Sequence, residues 1–580
     1  MKVLKFGGSS VSSTERIRDV ARIILEAARR EPLIVVVSAF HGVTNTLLEA
    51  AALAEKGDAR WEALFDEIAV RHRNVVAQLL SVEVQRTTHE AIETMLTELH
   101  EVLHGISLLR HAPPRALDLI ASFGERMSAT VLAAYLKPLH PAIYVDARAL
   151  IVTDDRFTDA AVFFDKTNAA VRTYFKKLLS GRAKGTIPVV TGFIGATEDG
   201  LTTTIGRNGS DYTASILGAA LGASMIEIWT DVDGVLSADP RTVHSAFVLP
   251  HMSYEEAMEL SYFGAKVLHP ATIAPAVTEQ IPVHIRNTLH PEVPGTVISR
   301  SSGGEDGVAK GITSVDDITL LTLRGLNMVG VPGTAERLFG TLAAQRINVI
   351  LISQASSEHT ICFAVINADA ARAHQAISRE FRHELKEHMT SLDQKARQTV
   401  VAVVGEGMRG TPGVAGSVFQ ALGRNNINVS AIAQGASERN ISFVIDSALR
   451  SRALNVIHEA FFEKRKRVSL VVIGTGNIGS ALLHQLNQQR SYLHSQGFEV
   501  SVCGVANSRK IHIDPEGIAL ERWKEELTAS SRRMEMAELV HQLMDLELTN
   551  AALVDCTAST EGQIRCAANH RPGSTHRPIQ

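Results

Sequence analysis

Three clusters of glycine and charged residues follow apolar, strand-like runs, where they could handle a phosphate and a carboxylate. The first, Lys5-Phe6-Gly7-Gly8, lies between a strand and a helix that begins near Ser13. A glycine turn at a helix N-terminus exposes backbone N–H groups that favour phosphate, and the Lys5 ammonium adds a positive charge. Alone this signal is weak, because a Gly-Gly turn between a strand and a helix often has only a structural role.

The second cluster, Gly206 to Asp211, leads into a helical run from Tyr212 to Leu221. Arg207 in this cluster could bind a carboxylate through two parallel hydrogen bonds. Ser210 and Asp211 have a simpler alternative, because either residue type can cap a helix N-terminus.

The third cluster, Trp229 to Val235, again ends an apolar strand. Asp231 and Asp233 are two residues apart, so on an extended segment their carboxylates point the same way. They could hold nucleotide hydroxyls or a Mg²⁺ shell, although a plain Asp-Gly turn explains them equally well.

These clusters need a sheet that brings strand ends together, and the first 300 residues predict one. The apolar runs Leu33–Val37, Ile187–Val190 and Met225–Trp229 alternate with longer helical stretches. Continuous apolar strands between helices are typical of a parallel α/β sheet covered on both faces, and ligands collect at the carboxyl ends of its strands. No Walker A sequence occurs in the chain, so a P-loop fold is not predicted.

The composition excludes several classes of protein. The chain has 580 residues, 45% of them hydrophobic and 21% charged, which predicts several soluble domains. A net charge of -4 gives no electrostatic basis for binding nucleic acid, and no apolar run approaches the ~20 residues that span a bilayer. The chain begins directly with a strand and its four cysteines are scattered, so we expect a cytoplasmic protein without a leader peptide.

An internal repeat follows a linker near residues 301–307. Residues 330–366 align with 410–446 without a gap, and fifteen of the 37 aligned positions are identical. The identical pairs include Phe339 with Phe419 and Gln354 with Gln434. The repeat predicts a duplicated domain in which strands and helices alternate.

A nucleotide-type glycine turn lies in the last region. The strand Val468–Ile473 runs into Gly474-Thr475-Gly476-Asn477-Ile478-Gly479, and a helix from Ser480 to Gln489 follows. In this context the glycine spacing predicts dinucleotide binding. The next strand, Val500–Asn507, is followed by Arg509 and Lys510 instead of an acidic residue, which favours NADP over NAD.

Residues 1 to about 300 resemble the aspartate kinase family. The motifs that carry the resemblance, in the order of the family, are Lys5 to Gly8, Ser122-Phe123-Gly124-Glu125-Arg126, Gly206 to Asp211, Thr230 to Gly234, and Ser261 to Pro270. The resemblance implies the amino-acid kinase fold, an αβα sandwich. It implies an ATP site of Lys5, Gly7, Gly8, Thr230, Asp231, Arg241, Lys266 and Val267. The implied aspartate site is Thr44, Glu125, Arg207, Asn208, Gly209 and Ser210. The resemblance assigns no metal ligands.

The implied chemistry needs no general base. The acceptor carboxylate of aspartate has an ordinary pKa of about 3.9 and is ionised at neutral pH. Catalysis would therefore rest on positioning and on charge neutralisation by Lys5, Lys266 and Mg²⁺. By the same resemblance, Glu125 takes the α-ammonium of aspartate and Arg207 its α-carboxylate.

The repeat resembles a pair of ACT domains, which bind amino acids and regulate enzymes. By that resemblance the effector residues are Asn348, Gln354, Asn428 and Gln434. Residues 401–446 are most similar to the threonine-sensitive bifunctional aspartokinase–homoserine dehydrogenases, so the resemblance implies threonine as effector and a homo-oligomer built through the ACT domains.

The last region resembles the start of homoserine dehydrogenase. The implied NADP residues are Gly474, Gly476, Gly479, Arg509 and Lys510. The family continues well beyond this segment, so we expect an incomplete NADP site and no dehydrogenase activity, with a truncation or frameshift near Ser559.

The expected organisation is therefore a kinase domain over 1–300, ACT domains over 311–395 and 398–462, a partial dehydrogenase domain over 466–559, and a disordered or frameshifted tail over 560–580. The expected activity is a feedback-regulated aspartate kinase that uses ATP with Mg²⁺. Two alternatives stay open at this stage: a working bifunctional enzyme, and an amino-acid sensor whose kinase site has decayed.

Overall fold

A computed structural model describes residues 1–178, 185–263, 269–301, 307–325, 332–354, 359–387, 389–463, 466–496, 498–535 and 551–557. The predicted mixed α/β architecture is confirmed in all three regions. The expected tail over 560–580 lies outside the described residues, and the proposed domain boundaries stay predictions.

The N-terminal region is built around a sheet whose central strands are parallel. Its strands, with those of a small second sheet, are β1 Lys2–Phe6, β2 Leu33–Val37, β3 Ala142–Val145, β4 Val152–Thr153, β5 Ile187–Thr191, β6 Ile194–Thr197, β7 Thr202–Thr204, β8 Met225–Thr230, β9 His251–Ser253, β10 Val283–Asn287 and β11 Thr296–Ser299. The main sheet has the order β3-β5-β2-β1-β8-β10-β11-β9, and β4, β6 and β7 form the second sheet. Strand β1 is thus central, with parallel neighbours β2 and β8.

Helices cover both faces of this sheet. They are α1 Thr14–Ala28, α2 Val43–Glu55, α3 Arg60–Leu79, α4 Val82–Leu109, α5 Pro114–Leu136, α6 Phe164–Leu178, α7 Gly209–Leu221, α8 Tyr254–Tyr262 and α9 Pro270–Thr278. Along β1 the side chains alternate: Val3 packs with the face that carries α6 to α9, whereas Leu4 and Phe6 pack with the face that carries α1 to α5. Lys5 shares the face of Val3, so its side chain points toward α7.

The repeat forms one antiparallel sheet shared by both copies. Its elements are β12 Gly311–Gly325, α10 Thr334–Ala344, β13 Leu351–Gln354, β14 Thr360–Ile366, α11 Asn367–Glu380, α12 Arg382–Lys386, β15 Thr390–Val404, α13 Val414–Arg424, β16 Ala431–Gln434, β17 Asn440–Asp446 and α14 Arg450–Phe462. The sheet order is β13-β14-β12-β15-β17-β16. The Ser353 hydroxyl of β13 donates to the Ile432 carbonyl of β16 at 2.8 Å, so the sheet curls until its two edge strands meet.

The two copies fold alike, as the sequence repeat predicts. Phe339 contacts Phe363 edge-on at a ring-centroid distance of 6.3 Å, and the equivalent Phe419 contacts Phe443 at 6.2 Å. Each copy also begins its first helix after a glycine in the left-handed region, Gly333 at φ 92° and Gly413 at φ 87°. Such φ values favour glycine, which explains why both copies keep it.

The long strands β12 and β15 run through both copies. Residues 311–315 pair with 400–404, in the half of the sheet that packs with the second copy, whereas residues 318–325 pair with strands of the first copy. The pairing shifts register between Val315 and Leu320, and Asp317 has a φ of 56° there. Strand β12 therefore contributes to both copies. A boundary between the two domains at residue 395 does not show this shared strand.

The C-terminal region forms a separate, smaller sheet. It contains β18 Lys466–Ile473, α15 Asn477–Gln488, α16 Arg490–Ser495, β19 Phe498–Ala506, β20 Ile511–Ile513, α17 Trp523–Ala529 and β21 Ala551–Asp555. The described strands have the order β20-β19-β18-β21, in which β18 is parallel to both β19 and β21. Along the described stretches of the chain, no helix is both long and apolar enough to cross a membrane.

Candidate active site

Lys5 lies at the carboxyl end of the central strand β1 and is nearly buried. Its Nζ is 2.6 Å from Oδ1 of Asp211, and the two side chains are 11% and 8% exposed. The Asp211 carboxylate thus gives the Lys5 amino group a close partner of opposite charge away from bulk water. The pair places a fixed positive charge beside the strand ends, where a phosphoryl group could be transferred.

The Gly7-Gly8 turn lies directly after Lys5. The N–H of Gly7 donates to the carbonyl of Trp229 at 3.1 Å, and a short 3-10 turn from Gly8 to Val11 follows. A Cβ at Gly8 would lie 2.9 Å from the Ala39 carbonyl oxygen, so any side chain there would push apart the loops after β1 and β2. The glycine is therefore needed for close approach of two loops.

In the second cluster, Gly206 to Asp211, neither Ser210 nor Asp211 is the cap of the helix that follows. The N-cap of α7 is Asn208, in a left-handed conformation at φ 54°, and it makes no side-chain capping hydrogen bond. Asp211 lies inside the helix and pairs with Lys5, so it is not a cap. Ser210 is buried and its Oγ accepts a hydrogen bond at 2.7 Å from the hydroxyl of Ser38, after β2. No sequence motif indicates a role for Ser38 or an ion pair for Asp211.

Glu125, from the middle of α5, is 3% exposed. Burial raises its pKa to about 8, while the backbone N–H of Ala39 and the charge of Lys5 act in the opposite direction. Its Oε2 has no hydrogen-bond partner among the described residues. A buried carboxylate with one unused oxygen can accept a cationic group of a ligand.

A cleft of about 360 Å³ brings several predicted residues together. Gly8, Thr44, Glu125 and Asp231 all line it, with Phe40 and Asn45 from the segment after β2. Asn208 and Arg207 lie beside Gly209 and Ser210 at the start of α7 and are exposed. Among the described residues, the Arg207 guanidinium makes no hydrogen bond or ion pair, so it is available to an anionic group.

The two aspartates of the third cluster, Asp231 and Asp233, have different partners. Asp231 is exposed at the cleft and accepts a hydrogen bond from the Thr230 hydroxyl at 3.1 Å. Asp233 instead accepts from Asn287 Nδ2 at 2.6 Å and lies 3.0 Å from His290 Nδ1. Of the two alternatives, the structural turn describes Asp233, because the chain bends over residues 231–234 and Asp233 is held by the segment after β10.

Four predicted nucleotide residues, Lys5, Gly7, Thr230 and Arg241, do not line the cleft, and two lie outside the described part of the chain. Arg241 is exposed and its guanidinium pairs with the neighbouring Asp239 at 2.9 Å. Thr230 is half-buried at the end of β8. Lys266 and Val267 fall on residues 264–268, outside the described residues.

The residues at the cleft fit a magnesium ion carried by the nucleotide. No group of three or more His, Cys, Asp or Glu side chains that could hold a metal occurs among the described residues. Asp231 lines the cleft with an exposed carboxylate, whereas Asp211 is paired with Lys5. Mg²⁺ commonly takes one or two carboxylates and completes its shell with phosphate oxygens and waters, which suits this arrangement.

The four predicted effector residues fall at different places in the curled sheet. Gln354 and Asn428 line one cavity of about 590 Å³ between the two repeat copies, together with Arg324, Asp393 and Lys395. Gln434 lines a different cavity beside the loop Gly410–Gly413, where Glu438 accepts a hydrogen bond from the Gly410 N–H at 2.7 Å. Asn348 is exposed before β13.

The glycine turn after β18 has the geometry of a dinucleotide site. Gly474 has a φ of 88°, and a Cβ at Gly479 would lie 2.0 Å from the Gly474 carbonyl oxygen. A Cβ at Gly476 would meet nothing within 4 Å, so that glycine leaves space in front of the helix start. These are the turn, packing and ligand-approach positions expected of the fingerprint. Lys510 Nζ donates to the Thr528 carbonyl, while the Arg509 side chain is exposed and makes no hydrogen bond with a described residue.

Comparisons with known proteins agree with this architecture. The sequence model of the amino acid kinase family matches residues 1–287. Aspartokinase 3, chloroplastic, of Arabidopsis thaliana is 36% identical over 496 residues, covering 83% of this chain and 85% of that protein. The chain belongs to the aspartokinase family. An ACT domain model matches residues 321–381 and 401–461 of this aspartokinase-family chain, in agreement with the predicted pair of ACT domains.

The C-terminal region and the fold are matched as well. The NAD-binding domain of homoserine dehydrogenase matches residues 474–565, beyond the expected boundary at 559. A bifunctional aspartokinase/homoserine dehydrogenase of Zea mays is 37% identical over 566 residues, and the match covers 96% of this chain but 61% of the maize protein. The crystal structure of E. coli aspartokinase III in complex with aspartate and ADP matches 80% of this chain and all of its own, with a TM-score of 0.67 and 30% identity.

These comparisons leave two expectations open. The match to a homoserine dehydrogenase NAD-binding domain does not support the expected absence of dehydrogenase activity, which stays a prediction. The maize and Arabidopsis relatives are chloroplastic proteins, so the cytoplasmic location of this chain also stays a prediction.

Proposed function

We propose that this chain is an aspartate kinase that transfers the γ-phosphoryl group of ATP to the side-chain carboxylate of L-aspartate. The observation that carries the proposal is the buried Lys5–Asp211 pair, beside the Gly7-Gly8 turn and within reach of a cleft that contains Glu125. The crystal structure of the E. coli relative with aspartate and ADP supports the same two ligands.

The proposed reaction is a single displacement. A carboxylate oxygen of aspartate attacks the γ-phosphorus, the bond from that phosphorus to the β–γ bridging oxygen breaks, and ADP leaves with the electron pair. No proton moves, because the acceptor is already ionised at neutral pH. Lys5 neutralises charge on the phosphoryl oxygens, and bound Mg²⁺ supplies further neutralisation at the nucleotide phosphates.

We assign the aspartate contacts by charge. Glu125, with one buried oxygen unpaired, binds the α-ammonium, and the ammonium in turn favours the ionised form of that carboxylate. Arg207, exposed and without an ion pair to any described residue, binds the α-carboxylate through two hydrogen bonds. Thr44, Asn208, Gly209 and Ser210 complete the aspartate site. Lys266 and Val267 join the nucleotide site with Thr230, Asp231 and Arg241.

The direct test is aspartate-dependent ADP formation by purified protein. L-Aspartate with Mg-ATP should give ADP and an acyl phosphate that hydroxylamine traps as the hydroxamate, whereas D-aspartate and L-glutamate should give little. ADP formation that does not depend on L-aspartate, or binding of amino acids without any turnover, would favour the amino-acid sensor instead.

We also propose that threonine inhibits the kinase through the ACT domains, and that these domains build a homo-oligomer. The effector residues in this proposal are Asn348, Gln354, Asn428 and Gln434. The cavity with Gln354 and Asn428 supports it, because Arg324, Lys395 and Asp393 give that cavity both charges that a zwitterionic amino acid needs. Titration of the kinase with threonine and lysine, side by side, tests the choice of effector.

For the C-terminal region we propose NADP binding at Gly474, Gly476, Gly479, Arg509 and Lys510, without homoserine dehydrogenase activity from these 580 residues. The described sheet provides the nucleotide turn, and we find no described segment that would position a second substrate against a nicotinamide. NADPH oxidation with aspartate semialdehyde measures this activity, and a rate above the protein-free blank would overturn the proposal and favour the bifunctional enzyme.

A further inference from the structure

One arginine of helix α3, Arg71, joins the two loops that contribute Gly8 and Phe40 to the lining of the cleft. Arg71 Nη1 donates to the His41 carbonyl at 2.6 Å, and Arg71 Nη2 donates to the Ser12 carbonyl at 3.0 Å. His41 belongs to the loop after β2, and Ser12 ends the 3-10 turn after Gly7-Gly8. A single guanidinium therefore spans the segments that follow two adjacent strands.

Both segments belong to the proposed site. The turn after β1 carries Gly7 and Gly8, which are proposed to meet the ATP phosphates. The loop after β2 carries Ser38, which contacts Ser210, and it leads into Thr44 at the cleft. Because a Cβ at Gly8 would already lie 2.9 Å from the Ala39 carbonyl oxygen, the spacing between the segments leaves little tolerance.

The same turn of α3 also holds Phe40 in the cleft wall. The Phe40 ring stacks on His72 at a centroid distance of 4.9 Å and an interplanar angle of 12°, and the Arg71 guanidinium carbon lies 5.8 Å from the ring centroid. Burial lowers the pKa of His72 to about 4, so the imidazole is neutral at physiological pH and packs as an aromatic ring. Residues 71 and 72 thus hold both the backbone and the side chain of the loop after β2.

We propose that Arg71 is a positioning residue that sets the separation between the phosphate-binding turn and the aspartate-binding loop. The inference rests on the proposed aspartate kinase activity. Arginine suits this role because its planar fork presents N–H groups to two acceptors in a fixed geometry, whereas lysine offers a single charged atom on a flexible stem. A displacement of about 1 Å between bound reactants can lower a rate by about 10²-fold, so the spacing matters for the transfer step.

The test compares Arg71→Met and Arg71→Lys with Arg18→Met. Arg18, on α1, is the control, because it also donates to a main-chain carbonyl, that of Gln78 in α3 at 3.3 Å, but is exposed and does not line the cleft. We expect Arg71→Met to lower kcat by about 10- to 100-fold and to raise KM for both aspartate and ATP. Arg71→Lys should recover part of kcat, and Arg18→Met should stay within threefold of the unsubstituted protein.

Thermal stability and rescue by added guanidinium are measured in parallel with the kinetics. Thermal midpoints of the Arg71 and Arg18 variants should be similar, so that a loss of kcat confined to Arg71 reports on the cleft. Guanidinium chloride at low millimolar concentration should restore part of the activity of Arg71→Ala. A kcat and both KM values within threefold in Arg71→Met would overturn the proposal, as would a loss of activity that only follows the unfolded fraction.

The result also separates this inference from the proposed function. If the unsubstituted chain shows no aspartate-dependent turnover, the proposed function fails, and Mg-ADP affinity by calorimetry then decides the role of Arg71. A Kd raised in Arg71→Met but not in Arg18→Met would support positioning of the phosphate-binding turn. Equal Kd values for Mg-ADP in the unsubstituted chain, Arg71→Met and Arg18→Met would overturn the proposed role of Arg71.

Discussion

At the scale of single residues, Lys5 is the side chain on which the proposed chemistry depends most. Removal of its ammonium takes a positive charge from the phosphoryl group and leaves Asp211 buried without its partner. We expect Lys5→Ala to lower kcat by about 10²-fold or more, the usual effect of losing one preorganised electrostatic contact. Steady-state ADP formation at saturating aspartate and ATP measures it.

The control for this substitution lies on the same strand. Lys2 is partly exposed and its Nζ lies 3.1 Å from Glu227, away from the cleft. Lys2→Ala should leave kcat within threefold. A similar small effect in Lys5→Ala would show that Lys5 does not stabilise the transition state.

Glu125 links substrate binding to pH and stability. Its pKa of about 8 lies above the ordinary value of 4.5, so between these values the folded state holds a proton that the unfolded state has released. Stability therefore falls as the pH rises from about 5 to 8. Glu125→Gln removes this dependence: we expect its thermal midpoint to exceed that of the unsubstituted protein at pH 8 and to match it near pH 5.

The same substitution should weaken aspartate binding, because an amide cannot provide the negative charge that the α-ammonium needs. Calorimetric Kd values for aspartate measure the loss. If Glu125→Gln binds aspartate as well as the unsubstituted protein, another residue takes the ammonium. If the thermal midpoint of Glu125→Gln changes with pH in the same way as that of the unsubstituted protein, Glu125 is already ionised in the folded protein at neutral pH.

At the scale of elements, helix α8 connects the kinase sheet to the second ACT domain through its first turn. Glu256 is fully buried; one carboxylate oxygen accepts from the Ser253 N–H and the other from the Glu406 N–H, each at 2.8 Å. Glu256→Ala would remove this acceptor from the buried Ser253 N–H and the half-buried Glu406 N–H. We expect a loss of roughly 2 to 5 kcal/mol in the free energy of unfolding, measured by urea titration.

Glu255 provides the comparison, because it lies in the same turn, is half-buried and forms no hydrogen bond with a described residue. Glu255→Ala should change the free energy of unfolding by less than about 1 kcal/mol. Equal losses in the two variants would mean that the contact with Glu406 adds nothing to the junction between the domains.

At the scale of the whole molecule, the curled ACT sheet is the proposed site of regulation. An effector inhibits only if it binds two conformations of the protein with different affinity. We expect threonine to inhibit the kinase and Gln434→Ala to weaken that inhibition while kcat without threonine stays near normal. Inhibition curves for Gln354→Ala, Gln434→Ala and the double variant check it. Unchanged threonine sensitivity in all three would remove these residues from the mechanism.

The sequence by itself determined the features that depend on local pattern. Apolar runs located the strands β2, β5, β8 and β18 to within about two residues, because strand periodicity is a property of neighbouring residues. The fifteen identities of the repeat likewise predicted two copies of one fold, since the same sequence spacing forms the same helices and strands. The glycines of the last region predicted their turn for the same reason.

Only the tertiary structure decided which of the candidate residues share one site. Asp211, which resembles a helix cap in sequence, becomes the partner of Lys5, and the neighbouring carboxylates Asp231 and Asp233 separate toward different partners. Arg71 shows no motif at all, yet it joins two loops of the cleft. These relations arise where strands and helices distant in sequence pack together, so their distances depend on the assembled sheet and not on the spacing of residues along the chain.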